Sequence, residues 1–176
     1  IGGGHAGVEA ATAAARVGAK TLLLTQKIET IGEMSCNPSF GGIAKGTLVK
    51  EIDALDGICA RVCDQSGVHF RILNATKGPA VFGPRAQIDR SLYKFNIHTV
   101  LMDYKNLSIA EGHVFDLIWE DRRIFGVTLQ DGNVIRAPTV VLTTGTFLGG
   151  EIHIGLETKA AGRINEAASI GISASL

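Results

Sequence analysis

Gly2-Gly3-Gly4-His5-Ala6-Gly7, running directly into Val8-Glu9-Ala10-Ala11-Thr12-Ala13-Ala14-Ala15, is the stretch whose reading decides the fold. The hexad fits G-x-G-x-x-G. In that pattern the first glycine permits a tight turn after a strand, the second lets backbone approach a pyrophosphate, and the third allows the following helix to press against a sheet. Three consecutive glycines also occur in ordinary flexible loops, and the six-residue pattern alone is weak. Its surroundings strengthen it, because a helical run and then the apolar strand Thr21-Leu22-Leu23-Leu24-Thr25 follow at βαβ spacing. A dinucleotide is the ligand this combination predicts.

Outward from that unit, residues 26–40 form a loop. Residues 43–62 read as helix, with Ile43, Leu48, Ile52, Leu55, Cys59 and Val62 near helical spacing and Gly57 as a break. A strand at 68–73 leads into the punctuated segment 74–79. Residues 86–102 read as a second helix and 107–110 as a short strand. Three strand-like runs follow at 113–119, 124–130 and 133–136, the last two joined by the turn Asp131-Gly132, which makes an antiparallel meander over 113–136. The apolar run 139–142 reads as a buried parallel strand. It ends in Thr143-Thr144-Gly145-Thr146, where such a strand delivers its carboxyl edge to a ligand crevice.

The predicted fold class is therefore α/β: a Rossmann-like domain with a parallel sheet and an inserted antiparallel β-meander. That arrangement resembles the FAD domain of two-dinucleotide flavoproteins. A nicotinamide-binding Rossmann domain would continue as alternating β and α units without the meander. Residues 1–176 read as one FAD-binding domain, with 146–176 as the start of a further segment. Both edges read as truncated: only Ile1 precedes the glycines, and 167–172 look like an element cut before its end.

Such folds usually carry Asp or Glu about 20 residues past the glycines, to hydrogen-bond a ribose hydroxyl. Here the neighbourhood is Thr25-Gln26-Lys27-Ile28-Glu29, which leaves Thr25 and Glu29 as the alternatives.

Charge and cysteine content narrow the classes. With 17 Lys and Arg against 17 Asp and Glu, net charge is zero, so no global field advertises for nucleic acid or an anionic membrane, although a local patch is allowed. No apolar run approaches the roughly 18 residues of a membrane span. The 3 cysteines cannot all pair with one another, and their scarcity fits a reducing compartment rather than a disulfide scaffold.

The loop Gly32-Glu33-Met34-Ser35-Cys36-Asn37-Pro38 places a thiol in polar, proline-bounded surroundings after the second strand. Gly41-Gly42-Ile43 is expected to start a helix close by. The partial positive charge there, with Lys45 one turn on, would favour the thiolate and make Cys36 a candidate nucleophile. A small buried hydrophobe is the plain alternative. Cys59 and Cys63, four apart on a helix, read as core, and no clustered histidines accompany them to complete a metal site. Residues 41–47 do not satisfy the Walker pattern. Lys77, Arg85, Arg90 and Lys94, with Tyr93 and Phe95 among them, read either as a phosphate-contacting strip or as a solvated helix face.

Taken together, Gly2 to Ala11, Met34-Ser35-Cys36-Asn37-Pro38, Gly41-Gly42-Ile43-Ala44-Lys45-Gly46, Phe70-Arg71-Ile72-Leu73-Asn74, Lys77-Gly78-Pro79-Ala80-Val81, Arg85-Ala86-Gln87 and Gly145-Thr146-Phe147-Leu148 go beyond generic Rossmann features. The chain resembles the N-terminal FAD-domain region of the tRNA uridine 5-carboxymethylaminomethyl modification enzyme family, MnmG or GidA. Phe82-Gly83-Pro84 stands where bacterial members usually carry an arginine-containing stretch. That wording resembles the mitochondrial branch and implies a mitochondrial location, with the bacterial cytoplasm as the alternative.

The resemblance implies an FAD-dependent enzyme that modifies carbon 5 of the tRNA wobble uridine together with an MnmE-type GTPase. It further implies methylenetetrahydrofolate as one-carbon donor, glycine or taurine as amine, NADH as reductant, and a homodimer when full length. By the same resemblance Gly2, Gly3, Gly4, His5, Ala6 and Gly7 hold the FAD pyrophosphate, Val114 contacts the adenine end and Ser169 lies near the flavin. Cys36 matches a cysteine thought to add to carbon 6 of the uracil. The family's second functional cysteine and its tRNA- and partner-binding region would fall beyond Leu176, which predicts a fragment inactive alone. Two other readings are a flavin-dependent thiol/disulfide oxidoreductase using Cys36, which lacks the usual close cysteine pair, and a non-catalytic FAD-binding fragment.

Overall fold

The computed structural model describes residues 1–176, apart from the side chain of Ala174. In chain order the elements are α1 (His5–Arg16), β1 (Thr21–Thr25), a 3-10 turn (Ile28–Thr30), β2 (Ser39–Gly41), α2 (Ile43–Ala54), α3 (Cys59–Ser66), β3 (Gly67–Leu73), β4 (Gly83–Ile88), α4 (Arg90–Met102) and β5 (Leu107–Glu111). They continue with β6 (Val114–Glu120), β7 (Arg123–Leu129), β8 (Val134–Arg136), a second 3-10 turn (Gly145–Phe147), β9 (Glu151–Ile154), β10 (Glu157–Ala160) and α5 (Gly171–Ser175). Two compact units result. The first comprises Ile1–Gly7, Leu22–Glu29 and Ser108–Leu176, the second Val8–Thr21 and Thr30–Leu107.

Helix α1 forms because alanine dominates it and its buried positions Val8, Ala11, Thr12 and Ala15 recur on one face. The buried Thr12 hydroxyl is satisfied by donating to the Val8 carbonyl at 2.9 Å. Arg16 in the last turn suits the negative end of the helix dipole.

In the first unit β1 pairs with β5, and the Gly112 N–H donates to Thr25 O at 2.8 Å where both strands end. On the other side of β1 the Gly2 N–H donates to Leu24 O at 2.8 Å. Ile1 then meets the run 139–143 in parallel: its amino group donates to Val141 O at 2.8 Å and the Thr143 N–H returns a bond to Ile1 O at 2.9 Å. The spatial order is β5, β1, Ile1, 139–143, a parallel arrangement of the dinucleotide-binding type.

The expected strand at 139–142 is not regular, and Val141 is 59% exposed. The meander is present as the antiparallel sheet β6-β7-β8. Its inner face packs Val114, Leu117 and Val127 with Leu24 and Ile172, and partly buried Val140 and Leu142 pack against that cluster.

The second unit holds the antiparallel sheet β2-β4-β3 with α2, α3 and α4. The helical region 43–62 is two helices, broken at Gly57 as its glycine predicts. A Cβ there would lie 2.9 Å from Glu9 Oε2. Helix α3 has no capping side chain of its own, but Glu9 Oε1 accepts the Cys59 N–H at 2.6 Å and satisfies an orphan donor of its first turn.

The helix expected over 86–102 begins later. Ala86, Gln87 and Ile88 belong to β4, opposite Phe70, His69 and Gly67 of β3, so pairing overrides the helical preference of Ala and Gln. Asp89 then caps α4, its carboxylate accepting the Leu92 N–H at 2.9 Å. Tyr93, Ile97 and Leu101 form the buried stripe of α4, and the Tyr93 ring lies 5.4 Å from that of Phe40.

Candidate functional site

The glycine turn belongs to the first unit, and its three fingerprint glycines have separable reasons. Gly2 has φ +104°, and a Cβ on it would lie 2.5 Å from Thr143 O. On Gly7 a Cβ would sit 2.6 Å from Thr143 Oγ1 and closer still to Gly2 O. Both are excluded by the fold itself. Gly4 has nothing within 4 Å of the same position. No contact within residues 1–176 demands a glycine there, and the open space leaves room for a ligand to approach the backbone. Helix α1 opens at His5, and the first turn of a helix offers N–H groups without intrahelical acceptors together with a dipole that favours anions. These residues fit a dinucleotide pyrophosphate.

The other residues assigned to the cofactor lie in the same unit. Val114 opens β6 with its side chain 7% exposed in the core cluster, so backbone is what it can offer a ligand. Ser169 is bridged to Leu148: its N–H donates to Phe147 O at 2.7 Å and its carbonyl accepts the Gly149 N–H at 2.9 Å. Of the two ribose alternatives, Thr25 is buried at 6% exposure, whereas Glu29 is exposed on the 3-10 turn. A carboxylate that reading along the chain missed reaches the same edge. Glu111, last residue of β5, accepts the Ile28 N–H on Oε1 at 2.7 Å.

Cys36 lies in the second unit, exposed, on a loop held at many points. Ile31 and Met34 anchor it by burial, as do Ser39 and Phe40 where it enters β2. Along β4 and α4, Arg85 donates to Ser39 Oγ at 2.9 Å, the Ile88 N–H to Pro38 O at 2.7 Å, and Arg90 Nη2 to Cys36 O at 2.8 Å. Lys94 pairs with Glu33 at 3.0 Å, and His98 Nε2 lies 3.2 Å from Ile31 O. Positions 90, 94 and 98 recur every fourth residue, so one face of α4 fastens the loop.

Along the chain β2 stands between Cys36 and α2, which begins at Ile43 behind Gly42. Lys45 lies with its ammonium 5.9 Å from the centre of the Phe40 ring. Arg85, Arg90 and Lys94 are not a free phosphate strip, since each is engaged with the Cys36 loop. The spacing of basic residues was legible, but their partners across the unit were not.

The other two thiols are buried. Burial pushes Cys63 up to about 12, and burial followed by the nearby Glu9 carboxylate raises Cys59 well above the usual thiol range. Burial also raises Tyr93. These groups stay protonated near neutrality and serve as packing. Among the described residues no cluster of three His, Cys, Asp or Glu side chains could hold a metal. The second unit also contains a cavity of about 370 Å³ between the face of α2 carrying Gly46, Val49 and Asp53 and the sheet residues Phe70 and Arg85.

A family model described as glucose inhibited division protein A matches residues 1–176. The chain is 58% identical over its whole length to the mitochondrial 5-taurinomethyluridine-[tRNA] synthase subunit MTO1 of Pongo abelii, covering 27% of that protein. Over 98% of its length it is 57% identical to the tRNA uridine 5-carboxymethylaminomethyl modification enzyme MnmG of Granulibacter bethesdensis, covering 28% of it. Among solved structures, Aquifex aeolicus GidA superposes with a TM-score of 0.93 at 48% identity, over 99% of this chain and 29% of that one. The chain thus spans between a quarter and a third of the length of the relatives it matches.

Proposed function

The chain belongs to the glucose inhibited division protein A family, and from that premise we propose that it is the FAD-binding part of an enzyme that modifies carbon 5 of the tRNA wobble uridine. Gly2, Gly3, Gly4, His5, Ala6 and Gly7 hold the FAD pyrophosphate, the Val114 backbone meets the adenine end, and Ser169 contributes near the flavin. FAD, when bound, supplies the redox chemistry of the modification.

Cys36 is the catalytic group, and the observation that carries this reading is its presentation: an exposed thiol on a loop fastened by β4 and α4, while Cys59 and Cys63 are buried. Carbon 5 of uracil is a poor nucleophile until the ring double bond is converted to an enolate. The Cys36 thiolate adds to carbon 6, and the electron pair of the C5–C6 double bond moves into the enolate. Carbon 5 then attacks the methylene carbon of the folate donor, and a carbon–nitrogen bond of that donor breaks with its electron pair passing to nitrogen. Loss of the carbon 5 proton expels the thiolate and restores the ring.

Methylenetetrahydrofolate is the one-carbon donor, NADH the reductant, and glycine or taurine the amine. An MnmE-type GTPase is the partner and the full-length protein is a homodimer. The first relative named above is mitochondrial, which favours a mitochondrial location over the bacterial cytoplasm. Within residues 1–176 neither Cys59 nor Cys63, both buried, is presented for exchange with Cys36. Replacing Cys36 with serine in the intact enzyme tests the assignment. Flavin content should be unchanged while wobble-uridine modification is lost; normal modification rejects the catalytic role, and lost flavin makes Cys36 structural.

A further inference from the structure

We propose that Glu111 supplies the carboxylate that hydrogen-bonds the ribose of the adenosine half of the cofactor, in place of the acid such folds carry at the end of the strand after the glycine turn. The inference rests on the FAD reading above. Strand β1 ends in Thr25-Gln26-Lys27 without an acid, and Thr25 is buried. Strand β5 lies beside β1, and the 2.8 Å bond from the Gly112 N–H to Thr25 O puts the ends of the two strands at one level. Glu111 therefore arrives at the edge where the missing acid would stand, one strand over.

Its carboxylate is also oriented. The Ile28 N–H, three residues beyond Thr25, holds Oε1 at 2.7 Å. An ionised carboxylate has acceptor sites for about four hydrogen bonds. One is used by Ile28, and the rest can accept from a vicinal diol. Glu29, the other acid nearby, is exposed on the 3-10 turn and would have to be ordered on binding. Glu111 is already in position.

The test compares dissociation constants of the apo full chain for FAD and for an FAD analogue whose adenosine carries a 2′,3′-dideoxyribose, read by flavin fluorescence. Wild type should prefer FAD by about tenfold to a hundredfold, as hydrogen bonds to a charged group imply. Glu111→Ala should lose that preference to within about twofold. Glu111→Gln, which keeps an acceptor for Ile28 but no charge, should retain an intermediate preference and stands in if the alanine variant does not fold. A Glu111 that only clamps the loop would weaken both ligands by the same factor, leaving the preference intact, and that result overturns the proposal. Wild type that binds FAD without preference over the analogue also overturns it, while leaving FAD binding in place. Should wild type bind neither ligand, the FAD reading falls and this inference with it.

Discussion

Gly4→Ala and Gly7→Ala are the same chemical change three residues apart, yet the structure assigns them opposite consequences. At Gly7 the new methyl would lie 2.6 Å from Thr143 Oγ1, where ordinary contact starts at 3.4 Å, and it would also overlap Gly2 O. Either α1 or the turn must shift by more than an ångström to clear the Gly2 carbonyl. Overpacking of this kind costs about 1–3 kcal/mol, with the backbone overlap placing it at the upper end, and about 1 kcal/mol returns because Ala is the better helix residue. A net loss of about 2 kcal/mol lowers the melting temperature of a chain this size by about 4–8 °C. At Gly4 the methyl meets nothing within 4 Å. Melting of the apo protein should then be unchanged or slightly raised, because Ala restricts the unfolded chain by a few tenths to about 1 kcal/mol. FAD affinity should nonetheless fall by at least about tenfold, because the methyl occupies the approach of the pyrophosphate. Thermal unfolding of the two apo variants, followed by FAD titration of Gly4→Ala, separates fold from ligand. Equal destabilisation by both changes, or unaltered FAD binding by Gly4→Ala, would refute the division of roles.

Removing the α4 cap with Asp89→Ala should cost about 1 kcal/mol and lower the melting temperature by about 2–4 °C, measured by circular dichroism. Iodoacetamide at neutral pH should label Cys36 while leaving Cys59 and Cys63 intact until denaturant is added, as peptide mass mapping would report; early labelling of Cys63 would contradict its burial. The folded state keeps a proton on Cys63 that the unfolded chain releases near 9.0, so stability is full below that value and falls as pH rises towards about 12. Between neutrality and about pH 10.5 the unfolding free energy of wild type should therefore drop by roughly 2 kcal/mol more than that of Cys63→Ala. Denaturant titrations at the two pH values decide it.

Much of the fold was legible because it is written in local signals. The hexad Gly2 to Gly7 with its alanine helix, the break at Gly57, and the turn Asp131-Gly132 between two runs of the meander each depend on backbone preferences that act within a few residues. The same locality explains the failures. Ala86 and Gln87 favour helix by themselves, but β3 supplies them with strand partners.

The sequence by itself determined which chemistry is present: glycines spaced for a pyrophosphate, and a cysteine in a polar loop apart from the other two. Tertiary structure alone decided what each group faces. Arg85, Arg90 and Lys94 hold the Cys36 loop rather than standing free, and Glu111 reaches Ile28 across 83 positions of chain. Turns and helices are selected by torsional preference and short-range bonding, which neighbouring residues report. The partners of charged and polar side chains depend on which distant segments pack together, and no spacing along one chain encodes that directly.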